Sequence, residues 1–181
     1  MYFEKCGKIN TKIAVELAVK VAKEKGINYI VVASNEGETA EMLIDCGINI
    51  VVVTHVNGFK EAGTQEMPLI TKTQLESYGF KVYTGTHALS GAERSLSNKF
   101  GGISPIEVMA YSLRMFGQGV KVCVEISTMA LDGGMIPYEE DIIAIAGTGR
   151  GADTAIILRP AHGANILETK IKEIICKPGQ W

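Results

Sequence analysis

Small polar residues, imidazoles and glycines recur in this sequence directly after short β-branched runs, where a strand would end and a ligand could be met. Ser34, Asn35, Glu36, Gly37, Glu38 and Thr39 follow residues 27–33, and Thr54 and His55 follow 48–53. Thr84, Thr86 and His87 follow 80–83, Ser127 and Thr128 follow 120–126, and Gly147, Thr148, Gly149 and Arg150 follow 141–146. Hydroxyls and backbone amides suit an anion such as phosphate. Residues 34–40 run from a strand into a helix, so their amides would face a bound anion from a helix start. Asn35, three residues before Glu38, is equally a capping arrangement that needs no ligand. Glu36 and Glu38 would repel a phosphate unless they point away.

The glycines at 147, 149 and 151 are spaced GxGxG, and residues 154–158 behind them read as a strand, so the pattern is not a dinucleotide fingerprint. What remains is a glycine-rich hairpin whose backbone can approach a ligand, with Arg150 as a planar cation, or else a tight turn with a solvated arginine. His55, His87 and His162 are too far apart for a helical metal pair and have no cysteine beside them, so no metal site is expected. His55 and His87 would share one rim as acid-base or ligand-orienting groups, or would cap loops. Ser34, Ser90 and Ser127 lack a GxSxG elbow, and no cysteine sits in the setting of a reactive thiolate, which argues against hydrolase chemistry. Glu125 lies within an apolar strand run, so it pairs with a partner such as an arginine or a histidine, or points outward.

The elements that must position these residues follow a rhythm. Helical spacing of Ile13, Ala14, Leu17, Ala18, Val21 and Ala22 predicts a helix over 12–25, stopped by Gly26. Further helices are predicted over 39–46, before Gly47, and over 71–78, before Gly79. Ser104, Pro105 and Glu107 occupy cap, first-turn and capping-box positions of another, which Gly117 and Gly119 close. Strands are predicted at 27–33, 48–53, 80–83 and 120–126, with a hairpin of 141–146 and 154–158, and a last strand or short helix at 170–176. Helix, glycine, strand and polar end, four times over, mark an α/β domain with helices covering a mainly parallel sheet. Ligands of such sheets sit outside the carboxyl ends of the strands. Residues 56–67 read as a long loop or mobile lid.

Composition narrows the partners. The 181 residues are 46% hydrophobic and carry 18 Lys plus Arg against 20 Asp plus Glu, which suits one globular domain over 1–181. No basic run offers a footprint for nucleic acid or an acidic membrane surface, so a small molecule is the expected partner. The first twelve residues lack a signal-peptide pattern, and the apolar runs are shorter than the roughly 20 residues a bilayer needs, which points to a soluble, cytoplasmic protein. Cys6, Cys46, Cys123 and Cys176 are scattered without a CxxC and read as reduced, mostly buried thiols.

The segment IVVASNEGETA, residues 30–40, resembles the pyruvate kinase C-terminal domain, where a Ser/Thr-rich loop ending in Gly-x-Thr-Ala binds the phosphate of an allosteric sugar bisphosphate. MALDGGMIPYEEDIIAIAGTGRGADTAIILRPA, residues 129–161, is similar to stand-alone archaeal proteins built on that domain. The resemblance implies a three-layer α/β/α fold with a mixed, mainly parallel sheet, and a bound flavin mononucleotide (FMN). Ser34, Gly37 and Thr39 carry over from the phosphate loop, whereas Asn35, Glu36 and Glu38 depart from it by adding negative charge. The expected ligand is thus a phosphate-bearing small molecule, with its phosphate near Gly37 and an isoalloxazine against residues 147–151. An enzyme of this kind would be a flavin-dependent oxidoreductase in which the flavin carries the redox chemistry. The alternative is a regulatory module that senses a sugar phosphate or nucleotide without catalysis and changes its contacts as a homo-oligomer. Pyruvate kinase activity is not implied, because that enzyme's catalytic barrel has no counterpart in these 181 residues.

Overall fold

The computed structural model describes residues 1–180, and its β-branched runs assemble into one seven-stranded sheet. After a two-residue edge strand, β1 (Tyr2–Phe3), come β2 (Tyr29–Ala33), β3 (Asn49–Val53) and β4 (Lys81–Tyr83), which pair in parallel. β5 (Ile142–Ala146) adds to the free side of β2, also parallel, and β6 (Thr154–Arg159) and β7 (Lys170–Pro178) continue antiparallel. The spatial order is β1-β7-β6-β5-β2-β3-β4. The chain moves outward from β2 to β4 and then returns to β2's other side, so a crevice opens at the carboxyl ends of β2 and β5.

Strand periodicity sends Ile30, Val32, Ile50, Val52, Ile143 and Ile145 into one core, and Val31, Val51, Val53, Ile142 and Ala144 into the other. A sheet apolar on both faces must be covered on both. α1 (Thr11–Lys25) lays Ala14, Val15, Ala18 and Ala22 on the first face and ends at Gly26 in the left-handed conformation, with φ 66°. α2 (Glu38–Glu41) and α3 (Leu69–Ser77) join that layer through Ala40 and Leu75. Of the remaining helices, α4 (Ala92–Phe100) buries no residue, whereas α5 (Pro105–Arg114) packs against α6 (Gln118–Asp132), which covers the second face.

The three layers, the mixed sheet, the 141–158 hairpin and the start of α5 agree with the sequence reading. Ser104 Oγ accepts the Glu107 N–H at 3.4 Å while Glu107 Oε2 accepts the Ser104 N–H at 2.8 Å, the reciprocal capping expected. The last segment is a strand, β7.

Other expectations are corrected. Residues 120–126 lie inside α6, not in a strand, and Ser127 and Thr128 are buried within that helix instead of ending a strand. Ser127 Oγ donates to the Cys123 carbonyl one turn back, at 2.7 Å. α6 lies so close to β6 that a β-carbon on Gly119 would stand 2.1 Å from Thr154 Oγ1. The helix predicted over 39–46 stops at Glu41, because its next turns tighten to three-residue spacing and Asp45 adopts φ 61°. Cys123 and Cys176 are buried, but Cys6 is exposed; all four thiols are free, and burial pushes Cys176 up to about 11. No helix among the described residues is long and apolar enough to cross a membrane.

Candidate functional site

A cavity of about 380 Å³ occupies the crevice at the carboxyl ends of β2, β3 and β5. Its first wall is the turn after β2. Ser34 and Thr39 line it, each only 5% exposed, and neither side-chain hydroxyl has a hydrogen-bond partner among the described residues. Gly37 caps α2 at φ 103°; a β-carbon there would meet Thr71 Cγ2 at 2.4 Å, so this glycine shapes the turn and does not itself line the cavity. No side chain caps α2, so Asn35 and Glu38 do not form the cap that their spacing allowed. Four helical residues carry little macrodipole, which leaves anion binding here to hydroxyls and loop amides.

The acids of this turn are neutralised in place. Glu36 Oε1 lies 2.7 Å from Arg150 Nη1 and 3.7 Å from Lys60 Nζ, and Glu38 Oε2 lies 2.5 Å from Lys8 Nζ. The repulsion expected of Glu36 and Glu38 is thereby offset.

The second wall is the loop between β5 and β6, held by a buried carboxylate. Asp153 Oδ2 accepts the N–H of Gly7 at 2.8 Å and of Thr148 at 3.1 Å, while Oδ1 accepts the Thr154 hydroxyl at 2.8 Å. Thr11 Oγ1 takes the Ala152 N–H at 3.0 Å. The two limbs of the loop touch so closely that a β-carbon on Gly147 would lie 2.6 Å from the Gly151 carbonyl oxygen. Gly147, Gly149 and Arg150 reach the cavity; Thr148 does not, and its hydroxyl is buried without a partner.

The third wall comes from β3 and β4. Thr54 Oγ1 and Thr84 Oγ1 meet at 2.6 Å and tie the two strand ends together. His55 shares a hydrogen bond of 2.6 Å with Glu66 through Nδ1, and its ring lies 3.8 Å from the Phe59 ring at a 30° tilt and 5.5 Å from the His87 ring. Burial raises the Glu66 carboxyl, but hydrogen bonds from Lys60 and His55 bring it below its ordinary value. Thr86 lies beside Gly91, outside the cavity lining.

His87 accepts the Val56 N–H on Nε2 at 3.4 Å, which requires an unprotonated Nε2. Burial holds its pKa below the ordinary value against the pull of Glu125, and the charges of His55, Lys121 and Arg94 add to the depression. The folded protein therefore takes up this proton at lower pH than the unfolded chain. Stability is fully present above about pH 6.5 and is lost as pH falls toward the folded value. Melting temperatures measured between about pH 7.5 and about pH 5 should fall for the wild type and fall less for His87→Gln; parallel curves would refute this.

The fourth wall was not foreseen. Lys121, Glu125 and Gln118 from α6, Arg114 from α5, Arg94 from the first turn of α4 and Ser90 from the loop before it complete the cavity. Lys121 is 3% exposed, and its Nζ donates to Glu125 Oε2 at 2.5 Å; Glu125 Oε1 accepts the Leu89 N–H at 2.9 Å. His162 lies elsewhere, against Asp132 at 2.7 Å. No cluster of three His, Cys, Asp or Glu fit to hold a metal occurs among the described residues.

Residues 12–158 match the family "Pyruvate kinase, alpha/beta domain". The chain belongs to that family. Among solved structures, a crystal structure of Cryptosporidium parvum pyruvate kinase is 14% identical with a TM-score of 0.37, and the match covers 90% of this chain and 22% of that one. The same organism's enzyme in complex with ADP is 15% identical with a TM-score of 0.40, over 90% of this chain and 23% of that one. The chain thus spans less than a quarter of the length of those kinases. At these scores the family match, not the superposition, carries the assignment.

Proposed function

We propose that the cavity binds a phosphate-bearing small molecule, and that the ligand is FMN. The observation that carries this reading is the pair of hydroxyls on Ser34 and Thr39. Both residues are nearly buried, both line the cavity, and their hydroxyls bond to no other group of the protein, which leaves them open to a ligand. The phosphate oxygens would satisfy them. A cavity of about 380 Å³ falls in the range of cofactor pockets. Gly147 and Gly149 leave a wall of bare backbone for a flat ring system, and the adjoining rings of His55 and Phe59 offer it an aromatic neighbour.

FMN would supply redox chemistry, while these side chains position it. His87, with one ring nitrogen accepting from Val56, stands at the rim as a neutral group able to give or take a proton. Four free cysteines fit a reducing compartment such as the cytoplasm. Membership of a pyruvate kinase domain family favours a second reading, in which the same cavity senses a sugar phosphate or nucleotide without catalysis.

The test is a visible absorption spectrum of protein purified without added cofactor, with mass spectrometry of whatever heat releases. A yellow protein that releases FMN supports the reading; one that stays colourless after incubation with excess FMN overturns it in favour of the sensor. Thr39→Val should weaken FMN binding by about tenfold or more. Because the Thr39 hydroxyl has no partner in the protein, the melting temperature of the ligand-free variant should stay within about 2 °C of wild type. A drop in that temperature with binding intact would make Thr39 a structural residue.

A further inference from the structure

The wall of the cavity built from α4, α5 and α6 has a different chemistry from that of the Ser34–Thr39 turn. Three cations line it, Arg94, Arg114 and Lys121, against one acid, Glu125, which is already bonded to Lys121. Arg114 is held in place: its Nε donates to Gln118 Oε1 at 2.8 Å, and its guanidinium lies 4.9 Å from the Tyr111 ring centroid. Arg94 projects from the first turn of α4. Glu107, which also feels Arg94, is occupied by the Ser97 hydroxyl at 2.7 Å and the Ser104 N–H at 2.8 Å. α6 begins here at Gly117, which has no side chain to cap the helix, so the positive end of a 15-residue helix adds to the field. Burial holds the Lys121 ammonium below the usual lysine range against the pull of Glu125, and the charges of Arg114 and Arg94 add to the depression.

A buried ion pair is weak as a stabilising device, because apolar residues of the same volume would hold the fold as well. Two guanidiniums and an ammonium converging on a cavity are suited to an oxyanion, and the planar forks of arginine match a planar carboxylate. We propose that Arg94, Arg114 and Lys121 form a second anion subsite, on the α6 side of the cavity, which binds the carboxylate of a small organic acid. The inference deepens the reading of the cavity as a ligand site, and its test is read without flavin. In a flavin-loaded protein this carboxylate would belong to the substrate. In a sensor it would be the second anionic end of the effector.

Calorimetric titration of the full chain, freed of small molecules by dialysis at low ionic strength, would use malonate as the carboxylate probe and inorganic phosphate as the control. One malonate site is expected, weakened about tenfold or more by Arg94→Gln and unchanged by Thr39→Val. Arg94 is exposed, so its replacement leaves the fold intact, and a matching melting curve checks this. Absence of malonate binding, or malonate binding indifferent to Arg94→Gln, would overturn the proposal. Phosphate binding that is tighter than malonate and sensitive to Arg94→Gln would overturn the carboxylate assignment. Malonate binding in a protein that never takes up FMN would remove the flavin reading and leave this subsite standing.

Discussion

Lys121→Met should destabilise the protein by about 3–5 kcal/mol, as expected when one partner of a buried ion pair is removed. The loss does not measure the worth of the pair. It measures the cost of leaving the Glu125 carboxylate, 5% exposed, with the Leu89 N–H and no cation bonded to it. For a chain of this size the melting temperature should fall by roughly 10 °C. The double variant Lys121→Met/Glu125→Gln should recover most of the loss, because the amide oxygen still accepts the Leu89 N–H and no charge is stranded. Chemical denaturation of the wild type and both variants gives the three free energies. A single variant within about 1 kcal/mol of wild type would mean that Glu125 finds another partner, and a double variant as weak as the single would mean that packing, not charge, is at stake. Recovery of stability in the double variant should not restore malonate binding. That split separates what the pair does for the fold from what Lys121 does for the cavity.

The same residues explain where the sequence could be read and where it could not. In residues 30–32 and 142–146 every position is apolar, and a parallel sheet covered on both faces calls for that. The polar residues at the ends of β2, β3 and β5 were legible for the same reason, since a strand's end fixes where its next side chains go. Residues 120–126 misled because they form a short β-branched run, Val120, Val122, Val124 and Ile126, with Cys123 apolar between them and only Lys121 and Glu125 polar. Lys121 and Glu125 share a face in a strand and in a helix alike, so their spacing decides nothing. Length decides: from Val120 the run continues to Asp132 with no glycine or proline before Gly133, which is helix length and not strand length. With that element misassigned, the cationic wall could not be seen, because Arg114 and Arg94 reach the cavity only through the packing of α5 on α6 and the placement of α4. The neutralisation of Glu36 and Glu38 was hidden too, since Arg150, Lys60 and Lys8 reach them from distant loops.

Asp153→Ala should cost a further distinct amount, about 3–5 kcal/mol, by a different route. The carboxylate is fully buried and accepts three hydrogen bonds, from the Gly7 and Thr148 amides and the Thr154 hydroxyl. Alanine leaves those donors without an acceptor, at about 1–3 kcal/mol for each buried group that neither relaxes nor finds water. Asp153→Asn should be far milder, about 1–2 kcal/mol, because the amide oxygen can replace Oδ2 for both backbone donors while the amide nitrogen faces a hydroxyl that can accept. Hydrogen exchange gives the decisive readout: the Gly7 and Thr148 amides should lose protection in the alanine variant and keep it in the asparagine variant. Equal stability of the alanine variant and the wild type would remove Asp153 as the anchor of the loop. The functional consequence follows from geometry. Gly147, Gly149 and Arg150 reach the cavity because Asp153 pins the loop that carries them to Gly7. At a temperature well below both unfolding transitions, Asp153→Ala should therefore bind FMN more weakly than Asp153→Asn, with no ligand contact of Asp153's own.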